Sequence, residues 1–246
     1  NEAYIIDTLP PFLTVSALGD GSYTNTPVLN VSGTATDSSG IKTIDISGIS
    51  ATLNMDGSFS QALVLQPGSN TVTIVATDLA GNYSSDSRSI NLDMIAPLLI
   101  ISSPADNSKT AALLMDITGT VDETSTVSVN LGSNTQNANI NGTAFSSSVN
   151  LNPGINTIVV TAIDLAGNTG SQKRTVVYDD QKPYLAITDP PQDIRTNISG
   201  VFLRGTVSDP YTQVFVSIAV DGKTYTPQVT NGAFEQQLTF TQENSY

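Results

Sequence analysis

The 246-residue sequence contains no cysteine, no histidine and no tryptophan. Without cysteine the chain can form neither a disulfide nor a thiolate nucleophile, and without histidine it lacks the most common general base. Acidic residues remain, but they recur at repeated positions, whereas an enzyme has little reason to copy one active site into every unit. The sequence therefore predicts that this chain is not an enzyme.

Basic residues and long apolar runs are also scarce. There are 9 Lys and Arg residues against 22 Asp and Glu residues, so the formal net charge is −13. Nucleic-acid binding depends on basic side chains that neutralise phosphates, so we expect no nucleic-acid partner. A transmembrane helix needs about 20 consecutive apolar residues, and no stretch of the sequence predicts such a segment.

The composition that remains is typical of β-sheet proteins. Charged residues make up only 13% of the chain, while 18 Gly and 12 Pro residues supply turns. In the segment VLNVSGTATD, alternation places Leu29, Val31 and Ala35 on one face and polar residues on the other. Alternation and turn signals together predict seven strands early in the chain, near 12–18, 27–37, 42–48, 49–55, 58–65, 70–78 and 84–92.

A period of 86 residues runs through the sequence. ATDLAGN at 76–82 returns as AIDLAGN at 162–168, and three further series keep the same spacing: Asp7, Asp93 and Asp179; Pro11, Pro97 and Pro183; Gly33, Gly119 and Gly205. A unit of this length can bury its own core, unlike the shorter repeats of solenoids. We predict the last strand of a preceding repeat at 1–7, complete repeats at 8–93 and 94–179, and an incomplete repeat at 180–246 that lacks its last two strands.

About seven short strands per unit, with turns every 8 to 12 residues, are typical of an immunoglobulin-like sandwich. The predicted fold is all-β: tandem seven-stranded immunoglobulin-like sandwiches arranged end to end, the third one truncated. The segments GTATD (33–37), NTVTIVATDLAGN (70–82), DMIAP (93–97) and DDQKP (179–183) resemble the bacterial immunoglobulin-like repeats of large surface adhesins and cell-surface proteins. This resemblance covers nearly the whole chain and implies an extracellular or bacterial cell-surface location.

Acidic residues recur where the units should meet. In such a sandwich the turns after strands two, four and six lie at the end where the chain enters, so each boundary aspartate should lie beside them. The predicted groups are Asp7 with Asp37 and Asp78, Asp93 with Asp122, Glu123 and Asp164, and Asp179 and Asp180 with Asp209. Converging carboxylates repel one another, whereas Ca²⁺ binds six to eight oxygen atoms. We predict calcium at the junctions; alternatively, these residues only form turns.

The predicted function is a non-enzymatic extracellular stalk or spacer of a bacterial surface or adhesin-type protein, stiffened by calcium. Its partners are the neighbouring repeats of the same chain. One alternative is a carbohydrate-binding or accessory module of a secreted enzyme, with host or surface glycans as partners and Tyr184, Tyr211 and Tyr225 as aromatic candidates. Another is a filament subunit, in which a strand such as NEAYII of another chain completes the third repeat.

Overall fold

The computed structural model describes residues 6–16 and 19–240. Every regular element of these residues is a β-strand, which confirms the predicted all-β class. Within the same residues no helix is long and apolar enough to cross a membrane. The strand predicted at 1–7 falls mostly outside the described residues; Ile6 and Asp7 are described, and neither belongs to a strand.

The first repeat forms two facing sheets. One has the strand order β1-β3-β6 and the other β2-β8-β7-β4-β5. The strands are β1 (Phe12–Val15), β2 (Ser22–Thr24), β3 (Val28–Thr36), β4 (Ile41–Ile46), β5 (Ile49–Ala51), β6 (Ser58–Val64), β7 (Gly68–Asp78) and β8 (Tyr83–Leu92).

The start of this repeat differs from the sequence prediction. Strand β1 ends at Val15 and pairs with β3, and the chain then forms β2, which pairs in parallel with β8 in the opposite sheet. At the crossing, Asp20 Oδ1 accepts the N–H of Ser89 at 2.7 Å, and Gly21 has a φ of 76°. Glycine suits that left-handed backbone. A three-residue strand has too little periodicity for the sequence to reveal it.

The second repeat has the same architecture with one more short strand. Its sheets have the orders β14-β15-β11-β9 and β10-β17-β16-β12-β13. The strands are β9 (Leu99–Ser103), β10 (Ser108–Thr110), β11 (Leu114–Val121), β12 (Ser125–Leu131), β13 (Asn134–Asn137), β14 (Asn139–Asn141), β15 (Ala144–Asn150), β16 (Gly154–Asp164) and β17 (Thr169–Tyr178).

The third repeat retains one three-stranded sheet, β18-β19-β22, and the hairpin β20-β21. Residues 241–246 lie outside the described part, and within 180–240 no strand corresponds to β16 or β17. The third repeat is therefore truncated, as predicted. Its strands are β18 (Tyr184–Asp189), β19 (Gly200–Ser208), β20 (Ile218–Val220), β21 (Lys223–Tyr225) and β22 (Ala233–Thr239).

Each complete repeat buries its own apolar core between its two sheets. Ile44, Ile74 and Ile90 are at most 1% exposed in the first repeat, and Ile117 and Ile158 are fully buried in the second. Since each core is assembled from residues of one repeat, each sandwich is held together by its own apolar contacts.

The truncation of the third repeat has a measurable effect on its core. Leu99 and Ile101 of β9 are 3% and 4% exposed because β9 packs against β16 and β17. The corresponding residues of β18, Leu185 and Ile187, are 56% and 45% exposed. The third repeat therefore lacks much of the apolar burial that stabilises the other two.

Candidate metal centres at the repeat junctions

The turn that follows β7, and its copy after β16, buries an aspartate. Asp78 is fully buried and Asp164 is 8% exposed. In the first turn, Asn82 donates its backbone N–H to Asp78 Oδ1 and its Nδ2 to Asp78 Oδ2, both at 2.8 Å. Gly81 has a φ of 95°, which allows the tight reversal between these residues.

The copy of this turn in the second repeat makes the same contacts. Asn168 donates its backbone N–H to Asp164 Oδ1 and its Nδ2 to Asp164 Oδ2, again at 2.8 Å, and the N–H of Ala166 also reaches Asp164 Oδ1. Burial raises the pKa of Asp164, but the hydrogen bonds from Asn168, Ala166 and Gly167 together outweigh it, so the pKa is lowered. The turn thus holds a buried, charged carboxylate.

The linker between the first two repeats contributes the second carboxylate. The N–H of Asp93 donates to the carbonyl of Thr24 at 2.9 Å, directly beyond the last rung of the β2–β8 ladder. This bond fixes Asp93 to the first repeat. The carbonyl of Asp93 accepts the Nδ2 of Asn168 at 2.9 Å, and its side-chain Oδ1 accepts the N–H of Ile95 at 3.0 Å. Asp93 is therefore bonded to both repeats.

The third carboxylate comes from the turn between β3 and β4, or between β11 and β12. Asp37 Oδ1 accepts both the N–H and the hydroxyl of Ser39 at 2.7 Å, and these bonds lower the pKa of Asp37. Its counterpart Glu123 behaves differently. Burial raises the pKa of Glu123, and the negative charges of Asp93, Asp164 and Asp122 raise it further.

These residues form two compact acidic groups, one at the entrance to each complete repeat. The first junction site consists of Asp7, Asp37 and Asp78, and the second junction site of Asp93, Glu123 and Asp164. In each site, one carboxylate oxygen from every residue lies within 4.8 Å of the others. Corresponding members lie 86 residues apart in sequence.

The chemistry of the first junction site suits a hard cation. Three carboxylates at this separation repel one another, by about 1 kcal/mol per pair at 4 Å even in water. Asp7 Oδ2 is buried and has no hydrogen-bond partner in the described part of the chain. An unpaired buried carboxylate oxygen is costly unless something positive binds it, and carboxylate oxygens are preferred Ca²⁺ ligands.

Four of the predicted ligands lie outside these two groups. Asp122 Oδ1 accepts the N–H of Leu98 at 2.8 Å. Asp180 accepts the hydroxyl of Tyr178 at 3.0 Å, and its other oxygen accepts Gln181 Nε2.

Asp179 and Asp209, the other two, lie in the positions of Asp93 and Glu123. Hydrogen bonds from the N–H groups of Tyr211 and Thr212 lower the pKa of Asp209, and Asp179 adds a smaller contribution of the same sign. The third junction therefore brings together two of the three equivalent carboxylates.

The aromatic candidates are dispersed. Tyr184 is an exposed residue of β18, and Tyr225 is a half-buried residue of β21. Tyr211 packs against Gly154 of the second repeat, so closely that a Cβ there would lie 3.0 Å from its ring. This packing between the second and third repeats explains the position of Tyr211 without a bound glycan.

The geometry described so far is that of tandem immunoglobulin-like sandwiches, and solved structures show the same fold. The fibronectin(III)-like modules of Clostridium thermocellum CbhA superpose with a TM-score of 0.51 at 13% identity, over 68% of this chain and 94% of theirs. A three-domain immunoglobulin fragment of titin gives 0.57 at 14% identity, over 96% of this chain and 90% of the fragment. These similarities concern the fold alone.

Sequence comparison identifies the family. Residues 11–94 and 97–180 each match the model of "Glucodextranase, domain B", so the chain belongs to that family and carries two copies of its domain. Bacillopeptidase F of Bacillus subtilis (strain 168) is 30% identical over 139 residues, which are 56% of this chain. The match covers about 10% of the length of that relative.

Proposed function

We propose that this chain is a non-enzymatic spacer of an extracellular, cell-surface protein, and that Ca²⁺ bound at the two junction sites holds successive repeats in a fixed orientation. The observation that carries the proposal is the second junction site. Its linker carboxylate, Asp93, is bonded to the first repeat through Thr24 and grouped with Glu123 and Asp164 of the second repeat. A cation bound there would join two folded units.

Charge and ligand type favour calcium among the common cations. The site offers three carboxylates, and Ca²⁺ accepts six to eight oxygen ligands in flexible geometry, with water or backbone carbonyls completing the shell. Mg²⁺ requires a stricter octahedron and retains its waters, and zinc sites generally include nitrogen or sulfur ligands. This sequence has no histidine or cysteine to supply them.

The spacer role is supported by the repetition of one sandwich along the chain. The two complete repeats bury equivalent cores, and their acidic sites lie at the junctions, where they affect the connection between units. A series of such units separates whatever lies at its two ends. The extracellular location is proposed from the sequence resemblance to bacterial surface repeats.

Calcium binding can be tested by isothermal titration calorimetry on the 246-residue protein after treatment with EDTA. We expect two ions per chain. Asp164→Asn should remove one of them, because it takes a charge from the second junction site while keeping the side-chain shape. Asp116→Asn is the matched control, since Asp116 lies on β11 outside both sites and its oxygen accepts a bond from Ser148. Absence of calcium binding, or a stoichiometry unchanged by Asp164→Asn, would refute the calcium sites.

A second function is favoured by the names of the relatives. The family is described as a domain of a glucodextranase, and the matched curated protein is called a bacillopeptidase. The same repeats could therefore serve as an accessory module of a secreted enzyme. Binding of the chain to immobilised glycans, lost in Tyr184→Ala but retained in Tyr23→Ala, would support this function over a simple spacer.

A further inference from the structure

Asn82 and Asn168 make more contacts than their turns require. In addition to the bonds to Asp164, the Nδ2 of Asn168 donates to the carbonyl of Asp93, 75 residues earlier. Asn82 repeats this pattern, because its Nδ2 donates to Asp78 Oδ2 and to the carbonyl of Asp7 at 3.1 Å. Each asparagine therefore bonds a buried turn carboxylate and the linker backbone at the same time.

Both hydrogens of each amide are used in these bonds. The second junction is a continuous chain of contacts, in which Thr24 of the first repeat accepts from Asp93, and Asp93 accepts from Asn168 of the second. Every bond in this chain joins protein groups, so none of them needs a metal ion. The acceptors are carbonyl oxygens that would otherwise require water or another donor.

We propose that Asn82 and Asn168 are metal-independent latches that hold the incoming linker on the repeat and position the turn carboxylate. The latch fixes the linker when no ion is present. An ion then binds between carboxylates that are already oriented. The asparagine holds the linker whether or not calcium binds. Only its role in positioning the turn carboxylate for an ion rests on the proposed function.

A second contact holds each linker a few residues after the asparagine contact, as expected if the linker is fixed on the repeat. Downstream of Asp93, the carbonyl of Pro97 lies so close to Gly170 of β17 that a Cβ at that position would overlap it. In the first repeat, the hydroxyl of Ser84 occupies the equivalent place and donates to the carbonyl of Pro11. The linker is thus held near the asparagine and again a few residues later.

The latch can be tested by measuring the distance between the first two repeats in EDTA. Because the protein has no cysteine, Met55→Cys and Ser133→Cys, both at exposed positions, provide one label in each repeat. Double electron–electron resonance should give a narrow distance distribution for this labelled protein. Adding Asn168→Ala should increase the displaced population about three- to tenfold, the range expected for one lost hydrogen bond.

Asn82→Ala is the matched control. It removes the same latch at the entrance to the first repeat, so the distribution between the first two repeats should not change. A distribution that Asn168→Ala leaves as narrow as the parent would overturn the proposal. If Asn168→Ala unfolds the second repeat, Asn168→Ser tests the same point, because it adds no charge and its single hydroxyl hydrogen cannot bond both Asp164 and the carbonyl of Asp93 as the amide does.

Added calcium separates this proposal from the proposed function. If calcium binds, the distribution of Asn168→Ala should narrow again, and its calcium affinity should be lower than that of the parent. If calcium changes neither protein while Asn168→Ala still broadens the distribution in EDTA, the calcium sites fail and the latch stands. A calcium affinity unchanged by Asn168→Ala would overturn the positioning role.

Discussion

The two junction sites occupy the same place in two copies of one fold, yet they differ in the acid of one turn, which is Asp37 in the first site and Glu123, longer by one methylene group, in the second. In the first, Ser39 donates two hydrogen bonds to Asp37 and lowers its pKa. In the second, Glu123 replaces the aspartate and its pKa is raised. Ser125, the counterpart of Ser39, has a buried hydroxyl without a hydrogen-bond partner among the described residues.

The comparison distinguishes contacts that are the same in both repeats from a turn whose residues differ between them. The buried turn aspartate and its asparagine make matching contacts in both copies. The turn between β3 and β4 differs from its counterpart between β11 and β12, where Glu123 replaces Asp37 and Asp122 replaces Thr36. The same scaffold can therefore present sites of different charge behaviour at successive junctions.

The largest expected effect is the loss of stability when alanine replaces a buried glycine in each repeat. It tests whether the two repeats have equivalent cores. Gly33 and Gly119 lie under the rings of Phe59 and Phe145, and a Cβ at either glycine would overlap both the ring and a neighbouring backbone carbonyl. Gly33→Ala and Gly119→Ala should each destabilise their own repeat by about 3 kcal/mol, since backbone leaves little room to adjust. Calorimetry should show one transition shifted in each variant.

Gly200→Ala is the control for these variants. A Cβ at Gly200 would lie 3.4 Å from the flexible amide of Gln237, so little effect is expected. Unequal losses in Gly33→Ala and Gly119→Ala would show that the two cores are not equivalent.

A smaller effect, a gain in stability, is expected when Glu123 is shortened to aspartate. It tests why the second junction site lacks the serine hydrogen bonds of the first. Glu123→Asp should allow Ser125 to donate to the carboxylate as Ser39 does to Asp37, because the shorter side chain matches the first site. We expect the second repeat to gain about 1 kcal/mol of stability in EDTA, the typical net value of a hydrogen bond. Thermal unfolding measures the gain. The double variant Glu123→Asp with Ser125→Ala should lose it, and a gain that persists there would contradict this explanation.

The smallest effect is a difference in pH dependence. Because the folded pKa of Glu123 is raised, its contribution to stability without an ion is present below the unfolded pKa and lost as the pH rises through the folded pKa. Asp37 has a lowered pKa, so its contribution is present above the unfolded pKa and lost as the pH falls through the folded pKa.

Calcium binds the deprotonated carboxylates, so on acidification the second site should release its ion before the first. Calcium titrations between about pH 3 and 7 bracket the ordinary pKa values of Asp and Glu, which are about 3.9 and 4.3. Asp78→Asn leaves the second site for measurement, and Asp164→Asn leaves the first. Release of both ions at the same pH would remove the distinction between the sites.

The sequence predicted the repeats well because their signals are local or periodic. Alternation located most strands. The 86-residue spacing related Asp7 to Asp93 and Asp78 to Asp164, and the direction of the strands in a sandwich predicted that Asp7 lies near Asp78 and Asp93 near Asp164. The same spacing distinguishes the neighbours Asp122 and Glu123, because Glu123 is in register with Asp37 and Asp122 is in register with Thr36. In the structure, Glu123 belongs to the second junction site.

Other features could not be predicted because they depend on distant backbone. The parallel pairing of β2 with β8 joins segments almost seventy residues apart and has no sequence pattern. The latch bonds have main-chain carbonyls as acceptors, and any residue supplies a carbonyl. The only signal was the asparagine that closes both copies of the seven-residue turn, at 82 and 168.

The parallel pairing of β2 with β8 also determines how a repeat responds to tension. The chain reaches β2 from the entrance of the repeat and leaves through β8, so a pull on the two ends drags these parallel strands in opposite directions. Such a pull loads the rungs from Ser22–Ile90 to Thr24–Leu92 together, in shear, along with the bond from Asp93 to Thr24. Rungs loaded together must break together, whereas a strand peeled from one end loses them one at a time.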